Sequence, residues 1–128
     1  MKEVMAVIRM DMIGKTKEAL LLQGFAALNC MKVMGRGKKK VDYFLIERFI
    51  TEGIENSSTK AAEAVSEGHR LVPKRLLSMV VGDDEVKKVL ETIMDINSRG
   101  NPGDGKIFVL PLSDCIRIRT GETGEQAV

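Results

Sequence analysis

KRLLSMVVGDDEVKKVLETIMDIN, residues 74–97, decides the fold. Lys74 to Val81 is a dense run of apolar and β-branched residues of strand length. Gly82, Asp83 and Asp84 break it, offer an N-cap, and set Glu85 near the positive end of whatever follows. Val86, Val89, Leu90, Ile93 and Met94 then recur at helical spacing, so an amphipathic helix runs to about Asn97. Downstream, Ser98 to Gly105 is rich in chain breakers, Ile107 to Leu112 is a short apolar strand, and Cys115 to Thr120 reads as another. Upstream the same order stands at the N-terminus. Lys2 to Met10 alternates with Val4, Ala6, Ile8 and Met10 on one face. Met12 to Gln23 carries Ile13, Thr16, Ala19, Leu20, Leu22 and Gln23 as a helical stripe closed by Gly24, and Ala26 to Met34 returns to strand character.

Between the halves lies a long excursion. Val41 to Phe49 is β-prone; Ile50 to Val72 is polar, with helical turns at most over Lys60 to Ser66. This segment has too few large apolar residues to form its own core, which predicts order only on binding. The element order βαββαβ is that of an α+β, ferredoxin-like sandwich with two helices on one sheet face. Nothing in the chain covers the other, apolar face, so association through it is expected.

Composition narrows the function. The chain has 128 residues, 44% hydrophobic and 30% charged, which suits one globular domain rather than a disordered chain. A net charge of +2 with 4% aromatics and no Trp argues against a nucleic-acid surface. Cys30 and Cys115 form no redox or metal motif. Ala19 to Met31 is too short to cross a bilayer, and early charges at Lys2, Glu3, Arg9 and Asp11 exclude a signal peptide, so a cytoplasmic location is expected. His69 is the single histidine, and HExxH, CxxC and GxSxG are absent, so no catalytic set is evident.

Three basic segments carry the chemistry that is left. Gly100 to Lys106 fits GxxxxGK, yet Ile107 stands where a P-loop needs a hydroxyl, and the loop runs from helix to strand instead of strand to helix. Its glycines can still form an anion nest beside Lys106; a plain turn is the alternative. On a strand, Arg117 and Arg119 would share a face, where two unpaired guanidinium groups call for an anion; a solvated basic face is the alternative. The run Arg36 to Lys40 reads as a nucleic-acid patch, a solvated loop or a backbone-mediated ligand contact.

GDGKIFV at 103–109, IRIRTGE at 116–122, MKEVMAVIR at the N-terminus, KEALLLQGF at 17–25 and GRG at 35–37 together resemble the PII signal-transduction proteins. The resemblance spans the chain except about 39–72. It implies one domain over 1–128, with a T-loop at about 38–73, a phosphate loop at about 98–106 and a C-terminal segment at 115–128. It also implies a trimer, or a hetero-oligomer with a sister PII subunit, binding ATP or ADP between subunits. Gly103, Asp104, Gly105 and Lys106 would grip the phosphates, with Arg117 and Arg119 from the C-terminal segment. Gly35, Arg36, Gly37 and Lys38 at the T-loop base, Asn29 in place of a frequent threonine, and Val80 would complete the nucleotide site. Lys74 and Lys39 would meet 2-oxoglutarate, but Lys39 replaces a glutamine that helps hold Mg²⁺, and an ammonium cannot ligate a cation. Tyr43 lies too near the loop base to match a modified tyrosine. The long T-loop is most like that of the second PII protein of nitrogenase gene clusters, which implies a non-enzymatic inhibitor of dinitrogenase. Control of an ammonium transporter or glutamine synthetase is the alternative.

Overall fold

The computed structural model describes residues 1–37, 47 and 70–128. Strand β1 (Lys2–Arg9) passes through a 3-10 turn (Met10–Met12) into helix α1 (Ile13–Leu22). Strand β2 (Asn29–Gly35), strand β3 (Val72–Val81), helix α2 (Val86–Asn97) and strand β4 (Lys106–Pro111) follow. A second 3-10 turn spans Gly124–Ala127. The sheet order is β2-β3-β1-β4, with β1 antiparallel to β3 and to β4. This is the expected ferredoxin-like α+β arrangement. The chain divides into two units, Met1–Val33 with Pro73–Val128, and Met34–Val72. The expected strand character over 41–49 and helical turns over 60–66 lie outside the described residues.

Period two sorts the sheet. Val4, Ala6 and Ile8 of β1, with Leu77, Met79 and Val81 of β3, are buried in one cluster with Leu20, Phe25, Val89 and Ile93. The alternate residues Met5, Val7, Leu76 and Val80 are only partly covered, and Phe108 and Leu110 of β4 remain 49% and 39% exposed. Phe108 stands opposite Met5 and Leu110 opposite Glu3, so these six apolar side chains share the face away from the core. Among them one polar pair is satisfied internally, Ser78 Oγ donating to Glu3 Oε1 at 2.6 Å.

Helix α1 ends as Gly24 implied. Gly24 takes φ +95°, its N–H bonds Leu21 O at 3.0 Å, and Phe25 N–H bonds Leu20 O at 2.9 Å. This is a Schellman closure in which buried Phe25 covers buried Leu20. The ammonium of Lys88 on α2 adds a bond to Gln23 O at 3.0 Å and stands 5.6 Å from the Phe25 ring. Deep between the helices, Asn97 Nδ2 donates to Thr16 Oγ1 at 3.0 Å and to Ile93 O at 2.9 Å, while Thr16 Oγ1 donates to Met12 O at 2.7 Å.

Several expectations need correction. Leu22 does not fill the α1 stripe: it is 79% exposed, because two residues past Leu20 is about 200° around a helix. Strand β2 begins at Asn29, not Ala26: the closure ends at Phe25, and residues 26–28 carry no regular structure before the strand. Met10 leaves the strand for the 3-10 turn. Val72 and Pro73, assigned to the excursion, already belong to β3. Asp83 and Asp84 do not cap α2; the N-cap is Glu85, whose carboxylate accepts the N–H of Gly82 at 3.1 Å.

Candidate phosphate-loop site

The loop between α2 and β4 is built on three left-handed glycines, Gly100 (φ +73°), Gly103 (φ +99°) and Gly105 (φ +110°). Gly105 also lies hard against β1: a Cβ there would stand 1.9 Å from the carbonyl oxygen of Val7. Lys106 follows directly and pairs in register with Val7, so the loop is seated on the end of β1.

Asp104 organises the loop interior. Its Oδ2 accepts the N–H of Arg99 at 2.8 Å and of Asn101 at 3.3 Å, and its Oδ1 accepts Arg9 Nη1 at 2.6 Å. The Arg99 N–H above all, and then the Arg9 guanidinium, lower the Asp104 carboxyl from 3.8 to about 2, so it is ionised at neutral pH. Arg9 Nη2 also reaches Pro102 O at 3.4 Å. Lys74, opposite Arg9 in the β1–β3 register, donates from Nζ to Gly103 O at 3.0 Å. On the helix side, a cavity of about 280 Å³ lies against the loop, lined by Ile8, Ile93, Met94, Asn97, Ser98 and residues 104–107.

Gly103, Asp104, Gly105, Lys106 and Lys74 therefore meet at one place, and Arg9 joins them. Spacing alone could not single out Arg9, which reads as one of several strand-end cations; its pairing with Asp104 crosses 95 positions of chain.

The C-terminal segment departs from its expected form. Residues 115–120 are not a strand: Ile116 makes one bridge to Thr123, and residues 118–120 turn. Local bonds win over the alternating pattern. Arg117 N–H bonds Glu122 O, Gly121 N–H bonds Arg117 O, and Gly124 N–H bonds both Cys115 O and Asp114 Oδ1. Left-handed Gly121 and Gly124 make that closure possible. Arg117 and Arg119 consequently do not stand side by side on one strand face. Arg117 is paired with Glu122 at 2.5 Å and donates to Gln126 O at 3.1 Å, so no anion is needed to explain it. Arg119 is exposed in the turn beside the fully exposed Ile118.

The other expected site residues lie on β2, β3 and the start of the excursion. Asn29 is exposed at the start of β2, and Val80 lies opposite Glu3 on the free sheet face. Gly35 ends β2 and is followed by exposed Arg36 and Gly37, while Lys38 and Lys39 lie outside the described residues. Among the described residues no group of three or more His, Cys, Asp or Glu could hold a metal.

The model of the family described as nitrogen regulatory protein P-II matches residues 1–122. The chain is 41% identical to the nitrogen fixation nifHD region GlnB-like protein 2 of Methanobacterium ivanovii, across 100% of this chain and 99% of that one. It is 42% identical to the protein of the same name from Methanothermococcus thermolithotrophicus, across 100% and 98%. A crystal structure of Arabidopsis thaliana PII bound to citrate superposes with a TM-score of 0.70 at 33% identity, covering 99% of this chain and 91% of that one.

Proposed function

Because the chain belongs to the PII family of nitrogen regulatory proteins, which are regulators and not enzymes, we propose that it binds ATP or ADP, senses 2-oxoglutarate and inhibits dinitrogenase through its long T-loop. One observation carries the nitrogenase reading: the full-length identity of about two residues in five with relatives named for the nifHD region. Three glycines and Lys106 at one loop, beside Lys74, support the phosphate part. The working unit is a trimer, or a mixed assembly with a sister PII subunit, in the cytoplasm; no helix among the described residues is long and apolar enough to cross a membrane. The test is purification of the tagged protein from cells after ammonium shock, followed by a dinitrogenase assay with and without ATP and 2-oxoglutarate. Recovery of an ammonium transporter or glutamine synthetase instead would favour the second reading. That reading draws support from the relative of Methanothermobacter thermautotrophicus named simply nitrogen regulatory protein P-II 2, 34% identical.

Residues 117 and 119 supply charge to the nucleotide in this reading. Arg119→Ala is expected to weaken ATP at least tenfold, about 1.4 kcal/mol, without loss of fold, because the side chain is exposed. Arg117→Ala weakens it as well and frees Glu122, a second negative charge in the same segment. Calorimetry that finds both variants unchanged would refute the assignment.

The described residues offer Mg²⁺ little: the loop's one carboxylate, Asp104, is committed to Arg9 and two N–H groups. With Lys39 unable to ligate, 2-oxoglutarate should bind this chain weakly in the presence of Mg-ATP, and Lys39→Gln should bind it more tightly. Titration of the two proteins side by side decides; micromolar binding by the unaltered chain with no gain in the variant would overturn it.

A further inference from the structure

A carboxylate in a phosphate loop is a physical problem. Asp104 is flanked by Gly103 and Gly105 and precedes Lys106, where a polyphosphate would meet a like charge. The structure meets that problem from β1. Asp104 Oδ1 lies 2.6 Å from Arg9 Nη1, with both side chains less than a quarter exposed. The second nitrogen of the same guanidinium reaches the carbonyl of Pro102. Glycine at 103 supplies the φ of +99° that turns its backbone here, and Arg9 Nη2 packs 3.4 Å from where a Cβ would stand, an ordinary contact distance. Oδ2 is occupied separately by two backbone N–H groups, so the carboxylate's two oxygens do different work: one shapes the loop and the other is neutralised.

We propose that Arg9 is the positioning residue of the nucleotide site: it cancels the charge of Asp104 and draws the acceptors at 102 and 104 toward β1, without touching the nucleotide itself. The inference rests on the nucleotide-binding reading above. Lys74, next to Arg9 across the β1–β3 pair, does for the Gly103 carbonyl what Arg9 does for its neighbours. A guanidinium suits the larger task because its fixed fork serves two acceptors at once.

Arg9→Met keeps the stem and removes the charge. In the nucleotide-free variant, a carboxyl-carbon NMR titration should find Asp104 above its present value of about 2 but short of 3.8, because the Arg99 N–H remains. Its affinity for ATP, by calorimetry, should fall about tenfold, the size of one charge-assisted contact. Adding Asp104→Asn should restore affinity to within about threefold, since an amide oxygen can take both backbone N–H bonds and leaves no charge to cancel. A purely structural role for the pair would leave the double variant no tighter than the single. Arg9→Lys retains the charge and should lose less than Arg9→Met. Unchanged ATP affinity in Arg9→Met, equal losses in Arg9→Met and Arg9→Lys, or no rescue in the double variant each overturn the proposal. Failure of the unaltered chain to bind ATP would instead overturn the nucleotide reading, and this inference with it.

Discussion

Gly105→Ala is expected to abolish ATP binding and to lower the unfolding free energy by about 2–4 kcal/mol. Two penalties act at one residue. The backbone holds φ +110°, where an L side chain is strained, and the added Cβ would overlap the Val7 carbonyl at 1.9 Å. The clash is with backbone, which has no rotamer by which to escape. Relief requires the loop to lift from β1, and Lys106 would then lose its register opposite Val7. Gly100→Ala is the informative companion. It too has a positive φ, +73°, but nothing lies within 4 Å of its Cβ position, so it should lose about 1 kcal/mol and keep measurable binding. Urea unfolding followed by circular dichroism, with calorimetry on the folded protein, checks both. Equal stability in the parent and in Gly105→Ala would contradict the close approach.

Phe108→Asp should reduce the solution mass from three times 14.1 kDa to 14.1 kDa at micromolar concentration. Phe108 is half exposed at the edge of a face shared with Met5, Val7, Leu76, Val80 and Leu110. Such a patch is unusual on a monomer and suits an interface between copies. A carboxylate introduced there would be buried without a partner on assembly, at a cost of several kcal/mol. Leu22→Asp is the control: Leu22 is more exposed than Phe108 but lies on the helical side, and it should leave the mass unchanged. Light scattering that finds the unaltered chain monomeric, or Phe108→Asp still assembled, would exclude this face as the interface.

Period and punctuation made most of the architecture legible. Val4, Ala6 and Ile8 announce the core side of β1, and Val86, Val89, Leu90 and Ile93 the inner stripe of α2, because burial selects apolar side chains at the repeat of the element. Gly24 marks the end of α1 for an equally local reason. The C-terminal segment misled because CIRIRT alternates like a strand, while the bonds that fold it come from Asp114, Glu122 and two glycines just outside that window. At the candidate site, spacing singles out Gly103 to Lys106. It does not single out Arg9, because a cation's partner 95 residues away leaves no trace in a single sequence. Asp104 stands in the loop that spacing picks out, and its carboxylate turns to Arg9 and to its own backbone, which spacing does not reveal.

The hydrogen-bonded pair Thr16–Asn97 has a consequence for which fold is chosen, apart from how stable it is. Both side chains are almost wholly buried, at 0% and 5% exposure, on helices whose other inward residues are interchangeable greasy surface. Leucine and isoleucine tolerate a helix that slides by a turn, since one methyl replaces another. A hydroxyl and an amide do not. Sliding α2 past α1 would part the one bond between them and leave an N–H of Asn97 unmet in the interior at roughly 1–3 kcal/mol, although each side chain keeps its bond to its own helix. The pair therefore acts as a key in a slot, selecting against mis-threaded neighbours of the native packing. Asn97 is also the last residue of α2, so the slot fixes the point from which the loop to β4 departs. Thr16→Val with Asn97→Leu would leave a core as oily as before and a loop whose origin is no longer unique.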